Sequence, residues 1–164
     1  MRRVGLLLTV LAASPALVAC GPAMDAVVGI GLDDGGDLVA VAKVCDDDVA
    51  QVDLYTHDPE VLVRSWRRDE PLTGTESWRL DTMSGRWRSD DTPPGLDRDA
   101  VYGLWATRSR GDVTSWVTFT GEEVGRLQPG HLLVRRPDRL SAASDSSEVS
   151  VIGWDDLRTW NCGW

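Results

Sequence analysis

Short apolar runs alternate with clusters of glycine, aspartate, proline and serine from residue 27 onward. Ahead of the C-terminal segment, the apolar positions show no helical period long enough for an ordinary helix. The pattern therefore predicts an all-β domain. The predicted strands cover residues 28–32, 38–44, 50–56, 61–67, 77–83, 86–90, 101–108, 113–120, 132–136 and 149–152.

The spacing of these strands is typical of a two-sheet antiparallel β-sandwich that is immunoglobulin-like in general shape. Residues 154–160 follow the last strand and predict one or two helical turns, because an aspartate near their start can accept hydrogen bonds from free backbone N–H groups. We therefore expect an all-β sandwich that ends in a short helix.

Two turns predict which residues face each other in hairpins. A two-residue loop at residues 35–36 would place Leu32 opposite Val39, since glycine supplies the positive φ that tight hairpins need. The same kind of loop at residues 111–112 would place Thr107 opposite Trp116. Both faces of this second hairpin are largely apolar, which predicts a central position in its sheet.

The first residues have the charge and length profile of a signal peptide. Arg2 and Arg3 precede an apolar run over residues 4–13, which Ser14 and Pro15 interrupt. A membrane-spanning helix needs about 20 apolar residues, so cleavage is the better interpretation.

The sequence Leu-Val-Ala-Cys at residues 17–20 resembles the lipobox of bacterial lipoproteins. The resemblance implies cleavage between Ala19 and Cys20, and acyl chains on Cys20 that hold the protein on the extracytoplasmic face of the cell membrane. The alternative is an ordinary secretory signal with a chance cysteine. The expected organisation is a signal peptide over residues 1–19, a lipidated tether over 20–26 and one β-sandwich domain over 27–164.

Composition limits the partners of the mature chain. The formal charge of the 164-residue precursor is −9 and becomes −11 once Arg2 and Arg3 are removed, so the phosphate backbone of nucleic acid would be repelled. Arginine greatly outnumbers lysine, with Lys43 the only lysine, a bias typical of a GC-rich genome. Together with the lipobox, this bias indicates an actinobacterium.

Two cysteines remain if Cys20 is lipidated. Cys45 and Cys162 then form an even pair in an oxidising compartment, where we expect a disulfide. Neither has a second cysteine or histidine at ligand spacing, so the sequence predicts no zinc site and no other metal or cofactor.

Beyond the lipobox, the chain resembles small actinobacterial lipoproteins over nearly its whole length. The matching elements are the hairpin that opens at residues 28–33 and leads to Cys45, the turn at residues 127–131, and a final strand-to-helix segment that ends in Cys162. The resemblance implies a shared architecture and no particular activity.

Catalytic chemistry has little support in the sequence. His57 and His131 could act as a base or a metal ligand, but no nucleophile motif or zinc-protease motif accompanies them. We therefore expect a non-enzymatic protein. The alternative is a cell-wall-directed hydrolase whose site uses carboxylates such as Glu122 and Glu123.

Two acidic clusters raise the possibility of calcium binding. They lie at residues 33–37 and 46–48, but neither has the alternating ligands and closing glutamate of an EF-hand loop. Solvated turn residues are the favoured interpretation.

Eight tryptophans raise the possibility of a carbohydrate-binding platform. Most of them occupy predicted strand positions opposite other apolar side chains, which favours a core role. Trp164, after the last cysteine, is the tryptophan that a core role explains least.

Residues 61–89 are locally basic in an acidic chain. One interpretation is a face toward the membrane or an anionic ligand; its candidates are Arg64, Arg67, Arg68 and Arg86. The other is ion pairing across strands. A two-residue loop at residues 84–85 would give the pairs Asp81 with Arg88 and Arg79 with Asp90.

The sequence as a whole predicts a lipid-anchored envelope protein that acts as a binding module. A tether over residues 20–26 spans at most about 20 Å, which holds the domain close to the bilayer. Apart from membrane lipid, expected partners are a membrane-proximal envelope protein or a surface polymer.

Overall fold

The computed structural model of the chain describes residues 25–58, 60–81, 86–89, 95–135 and 149–160. Within these ranges the chain forms nine strands and two short helices. The strands pair antiparallel in two separate sheets, which pack face to face around a common core. This confirms the predicted all-β, two-sheet antiparallel β-sandwich with a short C-terminal helix.

The two sheets take their strands from different parts of the chain. Sheet A has the order β5 (Thr75–Arg79), β2 (Leu38–Val44), β1 (Ala26–Leu32), β8 (His131–Arg135) and β9 (Val149–Gly153). Sheet B has the order β4 (Glu60–Leu72), β3 (Val49–His57), β6 (Val101–Thr107) and β7 (Val113–Thr120). Helix α1 (Gly121–Gly125) follows β7, and helix α2 (Trp154–Thr159) follows β9.

Alternate residues of both sheets fill the core, as the two-residue period of a strand requires. Trp66 of β4, Trp78 of β5 and Trp87 form a buried aromatic cluster there. Trp78 stacks on Trp87 with ring centroids 4.2 Å apart, and Trp66 meets Trp78 edge-on at 6.1 Å. For these three tryptophans the predicted core role is confirmed.

The β1–β2 hairpin differs by one residue from the predicted register. Leu32 lies opposite Leu38, so its predicted pairing with Val39 is wrong. The loop has three residues instead of two, and Gly36 in it adopts a positive φ of 84°. A three-residue loop with one left-handed residue is a common hairpin connection.

The predicted strand over residues 86–90 is wrong for residues 86–89, which are the part of it that the structure describes. Arg88 forms one isolated bridge to β4, while Asp90 lies outside the described residues. β5 instead pairs with β2, which is distant in sequence. The predicted pair of Asp81 with Arg88 is therefore wrong, and Asp81 bonds to Arg79 at 3.0 Å.

Helix α2 covers the outer face of sheet A. Leu157 is fully buried against that face. The ammonium of Lys43 fixes the helix by donating hydrogen bonds to the carbonyl oxygens of Leu157 (2.7 Å), Arg158 (3.1 Å) and Trp160 (2.7 Å). A cation at this helix end also interacts favourably with the helix dipole. Leu157 forms a buried cluster with five apolar residues of sheet A, which are Val27, Val41, Leu132, Val134 and Ile152.

The β6–β7 hairpin was predicted to be central, which is correct only for β6. β6 lies between β3 and β7, whereas β7 is an edge strand. Trp116 pairs with Trp105 and not with the predicted Thr107, because the loop is longer than two residues and a bulge shifts the register. Two tryptophans thus lie side by side in sheet B.

Candidate functional site

The residues of the predicted anchor, Ala19 and Cys20, lie outside the described residues, and so does Cys162. Cys45 follows β2 directly and is not a free thiol. It packs against the cluster that α2 forms on sheet A. Because both cysteines with which Cys45 could pair are outside the described ranges, its pairing stays a prediction.

Two of the four arginines predicted to form an exposed face do not do so. Arg64 has no exposed surface: its Nε donates to the hydroxyl of Ser89 at 2.8 Å and its Nη1 to the carbonyl oxygen of Leu80 at 2.9 Å. Placing Arg64 on a membrane-facing or ligand face was therefore wrong. The side chain of Arg68 is only 3% exposed and forms an ion pair with Glu76.

The orientation of Arg64 follows from the pleat of β4. Arg64 and Trp66 are two residues apart, so they share a face, and Trp66 points into the core. Arg67 points to the opposite, outer face and is exposed. Arg86, which is not part of β4, is also exposed. The predicted basic face is thus divided between the interior and the surface.

The cleft between α1 and the β8–β9 pair contains His131 and Glu123. Glu123 caps α1: its carboxylate accepts hydrogen bonds from the backbone N–H of Thr120 at 2.7 Å and from its hydroxyl at 3.0 Å. The Nδ1 of His131 lies 3.2 Å from the carbonyl oxygen of Pro129. Both candidate groups thus have structural partners.

The other two predicted catalytic candidates, Glu122 and His57, do not line the cleft that contains Glu123 and His131. Glu122 forms ion pairs with Arg98 at 3.2 Å and Arg126 at 2.5 Å. His57 is exposed at the end of β3, opposite Glu60. His57 therefore does not line the cleft that contains His131.

The acidic clusters act locally in turns. A carboxylate oxygen of Asp33 accepts hydrogen bonds at 2.9 Å from the backbone N–H groups of Gly35 and Asp37. Asp47 forms ion pairs with Arg108 at 3.7 Å and Arg110 at 3.3 Å. No group of three or more potential ligand residues that could hold a metal ion is found within the described ranges.

The outer face of sheet B carries aromatic residues on adjacent strands. Asp53 of β3, Trp105 of β6 and Trp116 of β7 are paired in one row across the sheet. Tyr55 contacts Trp105, with ring centroids 5.2 Å apart and planes at 47°. Trp116 is 40% exposed. We call the surface formed by Tyr55, Trp105 and Trp116 the aromatic face.

Gly103 makes room for the indole of Trp105. The two residues lie on the same face of β6, and a Cβ at position 103 would be 2.7 Å from Nε1 of Trp105. At such a distance the added Cβ and the indole could not both keep their positions. The indole of Trp105 thus packs over Gly103 and contacts Tyr55.

Arg135 extends the aromatic face beyond the edge of sheet B. Its guanidinium lies over the ring of Trp116, 4.0 Å from the centroid, in a cation–π contact. Burial lowers the pKa of Arg135 from its usual value. Among the described residues Arg135 has no carboxylate partner. A guanidinium carries donor groups that can bind a carboxylate or a phosphate.

Polar groups lie beside the aromatic rings. Asp53 is buried and accepts hydrogen bonds from the amide of Gln51 at 2.7 and 2.8 Å. Burial, together with the charges of Asp53 and Glu60, raises the pKa of Tyr55 above its usual value. The phenol of Tyr55 is thus neutral and a hydrogen-bond donor at neutral pH.

Sequence reasoning missed this site because it assigned most tryptophans to the core. The periodicity of β6 contained a signal: Tyr102, Leu104 and Ala106 fill the core, so the intervening Gly103 and Trp105 must point outward. A glycine two residues before an outward tryptophan indicates that the indole needs space over the strand.

No protein-family model, curated protein or solved structure matches the chain. Within the described ranges, neither helix has the length and apolar character needed to cross a membrane. The aromatic face and the predicted anchor are thus the features of the chain that bear on its function.

Proposed function

We propose that the protein is a lipoprotein, held by acyl chains on Cys20 at the extracytoplasmic face of a bacterial cell membrane, where its aromatic face binds an envelope component. The observation that supports this best is the contrast between the two outer surfaces of the sandwich. A helix covers that of sheet A, whereas Trp116 of sheet B stays exposed beside Trp105 and Tyr55. Exposed aromatic clusters are typical of binding surfaces.

The position of the aromatic face suits a partner rooted at the membrane. β1 starts at Ala26, and Asp25 just before it forms an ion pair with Arg108, which follows β6. The tether therefore joins the domain at the end of the sandwich where β6 ends. Trp105 is two residues from that end of β6, a rise of about 7 Å along the strand.

The proposed disulfide between Cys45 and Cys162 would fasten the end of the chain to sheet A. Trp160 packs in the same cluster as Cys45, and Cys162 is two residues further along the chain. Two residues span at most about 7 Å, and disulfide-bonded Cα atoms are usually about 4.4–6.8 Å apart. A bond at this position is thus compatible with the packing of α2.

The anchor is tested by metabolic labelling. Cells that express the full chain are grown with radiolabelled palmitate, and the protein is recovered and counted. We expect incorporation into the wild type and none into Cys20→Ala. Absence of label in the wild type, or label in the variant, would contradict lipidation at Cys20.

The binding surface is tested with the exported Cys20→Ala chain, which lacks the acyl chains. Sedimentation with washed cell envelopes should show binding, and Trp116→Ala in the same background should bind several-fold less. The matched control is Trp154→Ala, which changes a tryptophan at the opposite, α2 side of the sandwich. Equal binding by all three chains would place the binding surface elsewhere.

A further inference from the structure

We infer that the ligand of the aromatic face is an acidic polysaccharide, a chain of sugars that carry negatively charged groups. This inference rests on the proposed function and adds the chemical class of the ligand. The aromatic rings would contact the apolar faces of sugar rings, and Arg135 would bind a charged substituent.

The aromatic rings are arranged for contact with a chain of rings. Trp105 and Trp116 are paired on adjacent strands, whose backbones are about 4.8 Å apart. The C–H groups on one face of a sugar ring are apolar and slightly positive, and they pack well against the negative face of an indole. Successive sugars could therefore contact neighbouring tryptophans across the sheet.

Hydrogen-bonding groups border these rings, as a sugar requires. Gln51 and Asp53 lie on the same outer face as Trp105, and the neutral phenol of Tyr55 adds a donor. Sugar hydroxyls need such partners when they lose water, because an unpaired polar group is costly. Gln51 and Tyr55 can supply such partners to a bound sugar.

Arg135 indicates that the ligand is acidic. Its cation–π contact with Trp116 holds the guanidinium in place, and a guanidinium can form two parallel hydrogen bonds to a carboxylate or phosphate. Arg67 is a second exposed cation of the outer face of sheet B. Screening at physiological salt weakens the repulsion from carboxylates that lie farther than about 8 Å from the bound anion.

The test uses one oligosaccharide in two forms that differ only in charge. Tetragalacturonate carries a carboxylate on each sugar, and its methyl ester is neutral. The full Cys20→Ala chain is titrated with each by calorimetry at physiological salt. We expect the free acid to bind about tenfold more tightly than the ester, equivalent to one charge-assisted contact.

Three variants assign the effect to named residues. Arg135→Gln should abolish the preference for the free acid, so that the free acid and the ester bind with equal affinity. Gly103→Ala, which keeps every aromatic side chain but displaces the indole of Trp105, should weaken both forms several-fold. Arg158→Gln in α2 is the matched arginine control and should behave as the wild type.

Three results would overturn the inference. One is equal affinity for the free acid and the ester. A second is binding of neither form by a chain that still sediments with cell envelopes, which would leave the proposed function intact and exclude the ligand class. The third is binding to phosphatidylglycerol vesicles without binding to either oligosaccharide, which would assign Arg135 to the membrane surface.

Discussion

The outer faces of the two sheets differ in how far their apolar side chains are buried. On sheet A, Leu157 of α2 is buried over apolar residues, and Lys43 holds the helix end by three hydrogen bonds. On sheet B, Trp116 remains 40% exposed, with the guanidinium of Arg135 over its ring. The first surface is packed against a helix, and the second is the one that we propose as the ligand-binding surface.

The same comparison explains why a count of tryptophans does not identify a site. Trp66, Trp78 and Trp87 fill the core, where their rings contact one another. Trp105 and Trp116 have similar strand contexts but point to the outer side of their sheet. The two groups of tryptophans differ in the face of the sheet to which they point, and not in residue type.

The largest expected effect concerns the fastening of the chain end on sheet A. Replacing the proposed Cys45–Cys162 disulfide by serine at both positions should lower the free energy of unfolding by about 4 to 5 kcal/mol, since the disulfide closes a long loop. Urea unfolding of the exported protein, purified without reductant, measures the change. Two free thiols in the wild-type protein, found by mass spectrometry, would rule out the bond.

The next effect concerns the contact of α2 with sheet A. Leu157→Ala should lower the free energy of unfolding by about 2 to 5 kcal/mol, because Leu157 is fully buried. Its neighbour Arg158 has an exposed side chain, so Arg158→Ala should change stability by less than about 0.5 kcal/mol. Similar values for the two variants would show that α2 does not pack as described.

Lys43 should contribute less than Leu157. Lys43→Met removes the charged donor from three carbonyl oxygens and should cost about 1.5 to 3 kcal/mol of unfolding free energy. Lys43→Arg keeps a charged donor and serves as the control, with a smaller loss. If methionine is tolerated as well as arginine, these hydrogen bonds do not fasten the helix.

Much of the fold could be predicted from the sequence, because alternating apolar positions and glycine turns are local signals. The partner of β5 could not, since its pairing with β2 joins distant segments and has no turn to reveal it. Arg64 shows a second limit: charge suggested exposure, while its spacing from buried Trp66 required burial. The aromatic face depended on the β6–β7 register, which a bulge shifts.

A smaller change is expected on sheet B. Trp116→Ala should lower the free energy of unfolding by no more than about 1 kcal/mol, because the side chain is partly exposed and its cation–π contact is weak in water. Urea unfolding under the conditions used for Leu157→Ala gives a direct comparison. A loss as large as that of Leu157→Ala would mean that Trp116 belongs to the core.

The smallest effect is a shift in the titration of Tyr55. Its raised pKa means that its contribution to stability is complete below about pH 10 and is lost as the pH rises through the folded-state pKa. Ultraviolet titration in a Tyr102→Phe background isolates this phenol. Asp53→Asn should lower the pKa only in part, because burial is the larger cause.

An unchanged pKa in Asp53→Asn would show that the carboxylate does not act on Tyr55. A pKa at or below the ordinary tyrosine value in the parent chain would contradict the packing of Tyr55 against Trp105. Either result would weaken the description of the aromatic face as an ordered surface.

We propose that the aromatic face is occupied in the cell envelope, whereas the helix-covered face of sheet A is not a binding surface. Hydroxyl-radical footprinting tests it by comparing oxidation of wild-type protein on intact cells with that of the purified protein in detergent. We predict protection of Trp105 and Trp116 on cells, with Trp154 and Trp160 oxidised equally in both samples. Equal oxidation of Trp105 and Trp116 in the two samples would contradict the claim.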